Sequence, residues 1–75
     1  MTYLDLSTNY ISDITPLSCL TNLVTLNLSD NLITDVTPLY GMSNLRELYI
    51  GGNPLTDIQI SELNAYLPFC TIVFR

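Results

Sequence analysis

The segment Leu20-Thr21-Asn22-Leu23-Val24-Thr25-Leu26-Asn27-Leu28-Ser29-Asp30-Asn31-Leu32-Ile33-Thr34-Asp35-Val36-Thr37-Pro38-Leu39 decides the architecture, because a displacement of 22 residues lays it over its neighbours. Asn9, Asn31 and Asn53 then coincide, as do Leu4, Leu26 and Leu48, and Leu6, Leu28 and Ile50. Asp13, Asp35 and Asp57 superimpose as well, and Thr15-Pro16-Leu17 falls on Thr37-Pro38-Leu39. A self-match at one fixed period marks a stack of small units, each too short to bury its apolar face without the next.

Within one period the residues assign themselves to places in a coil. Leu26 and Leu28 alternate with Thr25, Asn27 and Ser29, the period of a half-buried strand. Asn31 opens the bend that leaves the strand. Such a bend exposes backbone groups that neither helix nor sheet satisfies, and a side-chain amide supplies donors and an acceptor together. Asn9, Asn31 and Asn53 are therefore expected to form a structural ladder rather than a binding site. Ile11, Ile33 and Leu55 return to the core. Asp13 and Asp35 suit a turn in which the carboxylate accepts from the amide two residues on. Thr15-Pro16 and Thr37-Pro38 predict a hydroxyl cap ahead of a proline in the first turn of a short helical segment.

The pattern L-x-x-L-x-L-x-x-N-x-L resembles the leucine-rich repeat. Its fuller form, L-x-x-L-x-x-L-x-L-x-x-N-x-I-x-D-I-x-P-L, is similar to the 22-residue repeats of internalin-like bacterial proteins, and also to those of a eukaryotic phosphatase regulatory subunit. The resemblance covers essentially the whole chain. It implies an α/β solenoid over residues 1–75, about three repeats plus a terminal strand. Its parallel β-sheet would line the concave face, with short 3-10 or helical turns on the convex face. It also implies a protein-binding role and a secreted or bacterial cell-surface location, the phosphatase alternative implying a cytoplasmic one.

The third repeat departs from the rule. Ile60 and Ser61 stand where Pro and Leu should be, and Ile60, Leu63 and Leu67 follow i, i+3, i+7 spacing. With Asp57 or Ser61 as cap and Pro68 as stop, an α-helix of about two turns is expected there. Phe69 to Phe74 is β-branched and aromatic and reads as a last strand. The run Leu63 to Ile72 resembles the closing repeat of internalin-like arrays, so the chain is expected to be the C-terminal part of one.

Composition narrows the function classes. The net charge is −5, and Arg46 and Arg75 are the only cations. Neither a basic patch for nucleic acid nor one for an anionic membrane can be built from two arginines. No apolar run approaches the ~20 residues of a membrane span. There is no histidine to act as general base or metal ligand. One aspartate per repeat makes no metal cage. No enzyme activity, cofactor or metal is therefore expected. Cys70 falls on the inward leucine position of the last strand and Cys19 on the return leg of the first repeat. More than two ~4.8 Å strand spacings would separate them, beyond the ~7 Å limit for a disulfide, so both are expected as buried free thiols.

Strand alternation sends the leucines inward and their neighbours outward. The concave face is thus expected to carry three columns: Tyr3, Thr25, Glu47 and Phe69; Asp5, Asn27, Tyr49 and Thr71; and Ser7, Ser29, Gly51 and Val73. Aromatics set among small polar groups suit a protein-binding face, because Tyr buries much area at low entropic cost. The expected binding residues are Tyr3, Asp5, Thr25, Asn27, Glu47, Tyr49 and Phe69, with a protein or peptide as partner. A structural cap with no ligand of its own is the competing function. Tyr10, Leu32 and Pro54 should form an apolar stripe on a side surface. Finally, the first coil is expected to leave Leu4, Leu6, Ile11, Ile14 and Leu17 uncovered, inviting self-association through the first strand.

Overall fold

Alternating leucines at a 22-residue period produce one short strand per coil, and the coils stack in register. A computed structural model describes residues 2–74. Strands β1 (Tyr3–Asp5), β2 (Thr25–Asn27), β3 (Glu47–Tyr49) and β4 (Thr71–Val73) form one parallel sheet in the order β1-β2-β3-β4. Leu4, Leu26, Leu48 and Ile72 lie across from one another and point inward. Backbone bonds between coils continue past the strands, from Leu6 N to Asn27 O, Leu28 N to Tyr49 O and Ile50 N to Val73 O.

The core is the space enclosed by each coil. Leu23, Leu26, Leu28, Ile33, Val36 and Leu39 of the second coil are fully buried, as are Met42, Leu45, Leu48, Ile50 and Leu63 of the third. Each such side chain contributes about 1.5–3 kcal/mol on leaving water. In the first coil Leu4, Leu6, Ile11 and Leu17 are only half-buried, as their uncovered position predicts, but Ile14 is buried after all. It belongs to the buried core cluster and not to the open side.

Opposite the sheet the coils turn through 3-10 segments at Thr15–Cys19 and Thr37–Leu39, each with its proline in the first turn. The caps differ from expectation. Neither threonine hydroxyl caps its turn. The preceding aspartates do so instead: Thr15 N donates to Asp13 Oδ1 and Thr37 N to Asp35 Oδ1, both at 3.0 Å. The Thr15 hydroxyl and amide hold the Asp13 carboxyl below its usual range, and the Thr37 amide and hydroxyl do the same for Asp35.

In the last coil an α-helix, α1 (Asp57–Tyr66), replaces the tight turn, and at ten residues it is longer than the expected two turns. Its cap is Thr56, not Asp57 or Ser61. The Thr56 hydroxyl accepts from Gln59 N while Thr56 N donates to Gln59 Oε1, a reciprocal capping box. Gln59 Nε2 reaches back to Thr34 O at 2.8 Å, and the Tyr66 ring stacks on Tyr40 with centroids 3.9 Å apart. Both contacts fasten the helix to the preceding coil.

Thr8 and Asp30 have positive φ (59° and 58°), as does Gly52 (72°), each one residue before a ladder asparagine. Glycine suits the third of these, because a Cβ on Gly52 would force the Asp30 carboxylate aside and crowd its Cα. The cysteines are both free; Cys70 is buried as expected, whereas Cys19 is exposed at the end of its 3-10 segment. Burial pushes the Cys70 thiol up.

Candidate protein-binding face

The asparagine ladder is what holds the sheet edge in place. Asn31 Nδ2 donates to Leu28 O and Ser29 O of its own coil and to Leu6 O of the coil before, at 3.0, 3.2 and 3.0 Å. Its Oδ1 accepts from Ile11 N at 3.1 Å, again in the coil before. Asn53 repeats the arrangement on Leu28 O, Ile50 O, Gly51 O and Ile33 N. Both are buried with every polar atom used, so the structural reading of the ladder holds. Asn9 is exposed, and among the described residues its side chain keeps only the two bonds within its own coil, to Leu6 O and Ser7 O, while its amide donates to Asp30 O at 3.2 Å.

On this frame the outward strand residues form two columns. The first runs Tyr3, Thr25, Glu47, Thr71 and the second Asp5, Asn27, Tyr49, Val73. Six of the seven expected site residues thus share one face, with Tyr3 well exposed and Tyr49 half-buried. Phe69 is the exception. The step from Tyr49 to its partner Val73 is 24 residues (49 to 73), against 22 from Asn27 to Tyr49 (27 to 49). The helix lengthens the return leg by two residues and shifts every later residue along the strand. Thr71 and Val73 consequently each move one column from their expected places. Ile72, not Cys70, takes the inward position opposite Leu48. Cys70 N donates to Leu67 O in a local turn like that of Leu45 N on Met42 O, so Cys70 is buried at the entrance to the strand, one residue before Thr71. Phe69 sits before the strand, 80% exposed.

Ser7, Ser29 and Gly51 of the third expected column lie beyond the strand ends, and the two serines explain part of the second. Asp5 Oδ1 accepts from Ser7 N at 3.0 Å and from Ser7 Oγ at 2.7 Å. Asn27 Oδ1 accepts from Ser29 N at 3.1 Å. These two side chains therefore fasten the turn that follows each strand, a role the spacing of Asp5-Leu6-Ser7 and Asn27-Leu28-Ser29 signals as turns of the Asx kind. The Ser7 hydroxyl, then its amide, hold the Asp5 carboxyl below its usual range. Glu47 is gripped from two sides: Thr25 Oγ1 donates to its Oε1 at 3.2 Å and the Tyr49 hydroxyl to its Oε2 at 3.3 Å. The Glu47 carboxylate in turn pushes the Tyr49 hydroxyl pKa up, with a smaller push from Tyr3.

Among the described residues no group of three or more Cys, Asp or Glu could hold a metal ion, and no helix is long and apolar enough to cross a membrane. Tyr10, Leu32 and Pro54 are exposed on the surface flanking the ladder, as the repeat map expects.

A family profile for Leucine Rich repeats (2 copies) matches residues 1–41 and 21–65. Among solved structures, internalin C2 from Listeria monocytogenes is similar over 100% of this chain and 32% of its own, with a TM-score of 0.88 and 32% identity. An internalin, InlF, from the same organism is similar over 91% of this chain and 19% of its own, with a TM-score of 0.78 and 35% identity. The chain thus spans about a third or less of the length of these two proteins. No curated protein matches it significantly. A parallel sheet with one strand per 22-residue coil, an asparagine ladder between coils and the profile match agree: the chain belongs to the leucine-rich repeat family, with internalin-like coils.

Proposed function

We propose that this chain binds a protein or peptide partner through its concave sheet, with Tyr3, Thr25, Glu47 and Tyr49 making the contacts and Asp5 and Asn27 shaping the rim. The observation that carries this reading is the separation of labour within the strands. Leu4, Leu26, Leu48 and Ile72 face inward, while the outward face carries two tyrosines and a carboxylate that no packing requirement explains. Leucine-rich repeat domains typically serve as protein-interaction modules, and repeat stacks present extended concave surfaces for that purpose. Internalin-like coils favour a secreted or cell-surface setting over the cytoplasmic phosphatase-subunit alternative. Phe69 lies off this face and is not part of the proposal.

Size limits the affinity. Four strands ~4.8 Å apart span about 14 Å and each contributes about 16 Å of length, so the sheet face offers on the order of a few hundred Å². A standard interface takes ~800 Å² from each partner. The chain by itself therefore binds a short segment, or contributes one portion of a larger contact. Interface energy concentrates in a few aromatic or arginine anchors. Tyr49→Ala should weaken the partner by more than ~1 kcal/mol while leaving the denaturation midpoint near wild type. Loss of binding on Leu32→Ala or Tyr10→Ala with Tyr49→Ala silent would move the site to the lateral surface.

A second reading concerns the 75-residue chain itself. Among the described residues the outer edge of β1 has no partner strand, the Asn9 side chain lacks the inter-coil bonds of the Asn31 side chain, and four apolar side chains of the first coil are only half-covered. Two molecules pairing at this edge would cover both open faces. Sedimentation should show a dimer that dissociates between millimolar and micromolar concentration. A monomer throughout, with a sharp cooperative melt, would contradict it.

A further inference from the structure

The two-residue shift that removes Phe69 from the sheet places it beside Arg46, and that juxtaposition has a chemistry of its own. Ser43, Leu45, Arg46, Tyr66, Leu67, Pro68 and Phe69 line a groove of about 200 Å³ along the edge from which the last strands start. Its floor is apolar: Leu45 and Leu67 are buried, while Tyr66 and Phe69 stand exposed on its walls. Two of its parts are held in place. Tyr66 is stacked on Tyr40, and Pro68 fixes the chain between Leu67 and Phe69.

Arg46 is the one cation among the described residues, in a chain of net charge −5. Its Nη1 donates to Ser43 O at 2.9 Å and Leu45 O at 3.2 Å, which holds the guanidinium at the groove. Among the described residues no carboxylate pairs with it, and neither Nη2 nor Nε has a hydrogen-bond partner. A positioned guanidinium with open donors, next to apolar floor and aromatic wall, is complementary to a carboxylate that follows an apolar side chain. A groove of 200 Å³ is smaller than the ~300–1,000 Å³ of small-molecule pockets, so it admits one side chain and not a cofactor.

We propose that this groove is a second docking site, separate from the concave face, for a partner segment in which an apolar residue is followed by Asp or Glu. The apolar side chain enters between Tyr66 and Phe69, and the carboxylate accepts from Arg46. The proposal does not depend on the concave reading.

The test is an NMR titration of the intact chain with two capped dipeptides, acetyl-Leu-Glu-amide and acetyl-Leu-Lys-amide. The Leu-Glu peptide should shift the ring signals of Tyr66 and Phe69 and the Arg46 Nε–H, and bind roughly two- to fivefold more tightly than Leu-Lys, the range an exposed ion pair supports. Arg46→Gln should erase that preference, and Phe69→Ser should abolish the shifts. Both side chains are exposed, and retained dispersion of the core signals would show that each variant folds. Equal binding of the two peptides, shifts confined to Tyr3 and Tyr49, or no shifts at all at 10 mM or so would each overturn the proposal; shifts at Tyr3 and Tyr49 alone would favour the concave face.

Discussion

Asn31 and Asn9 occupy equivalent places in consecutive coils, yet the Asn31 side chain ties its coil to the one before, while the Asn9 side chain bonds only within its own coil. The local sequence around them is nearly the same. What differs is whether a preceding coil supplies a carbonyl and an amide at the right height. The same contrast runs through the core: Leu26 and Leu28 are fully buried, and their first-coil counterparts Leu4 and Leu6 are half-buried. In a stack, a repeat's contribution to stability depends on its neighbours as much as on its own residues. The coils that carry the central part of the proposed binding face are therefore also the best-anchored ones.

That contrast is most easily broken at the ladder. Asn31→Ala would leave buried carbonyls and the Ile11 amide unpaired, at a cost of about 1–3 kcal/mol. Stability for a chain of this length is roughly 4–11 kcal/mol, so the shift in denaturation midpoint should be plain. Asn9→Ala should stay within about 0.5 kcal/mol, as for most exposed substitutions. Equal losses at the two positions would mean that the first coil is covered in solution, as in the edge-paired dimer, and the pair should then be compared under dilution.

A smaller effect comes from acid. The carboxyls of Asp5, Asp13 and Asp35 are all held below their usual range by hydrogen bonds from Ser7, Thr15 and Thr37. A depressed folded pKa adds stability above the unfolded value of ~3.9, and that stability is lost as pH falls through the folded values. The midpoint of urea denaturation should be nearly level above about pH 5 and decline below about pH 4. Asp35→Asn, which keeps an acceptor for Thr37 N without the charge, should make the acid decline shallower. A profile that the substitution leaves unaltered would remove Asp35 from this role.

How much of this was legible in the residues follows from where each feature is encoded. The period itself places Leu26 inward, Asn31 on the ladder and Tyr49 outward, because each repeat copies the same constraint. The caps at Asp13 and Asp35 were half-legible: the aspartates suggested the turn, but the threonine hydroxyls beside the prolines competed for the same role and did not take it. The helix at Asp57–Tyr66 was visible from the spacing of Ile60, Leu63 and Leu67, but its capping residue was not, since Thr56 acts only together with Gln59. The register of β4 could not be read from the period, because the helix lengthens its coil by two residues and the repeat stops being a ruler there. That alone separates Phe69 from the column its 22-residue place predicts. Left-handed backbone at Thr8 and Asp30 has no signal in the residues themselves, as only Gly52 advertises it at that position.

The central claim, that partners meet the outward side of the sheet, can be tested by the tyrosines themselves. The chain has five, and they sample different surfaces: Tyr3 and Tyr49 on the sheet, Tyr10 beside the ladder, and the stacked pair Tyr40 and Tyr66 where the helix meets the second coil. Hydroxyl-radical labelling, with and without a bound protein partner, reports how far each ring is covered. We expect labelling of Tyr3 and Tyr49 to fall several-fold on binding while Tyr10 keeps its free-chain reactivity. Protection of Tyr10 with Tyr3 and Tyr49 still fully labelled would contradict the claim.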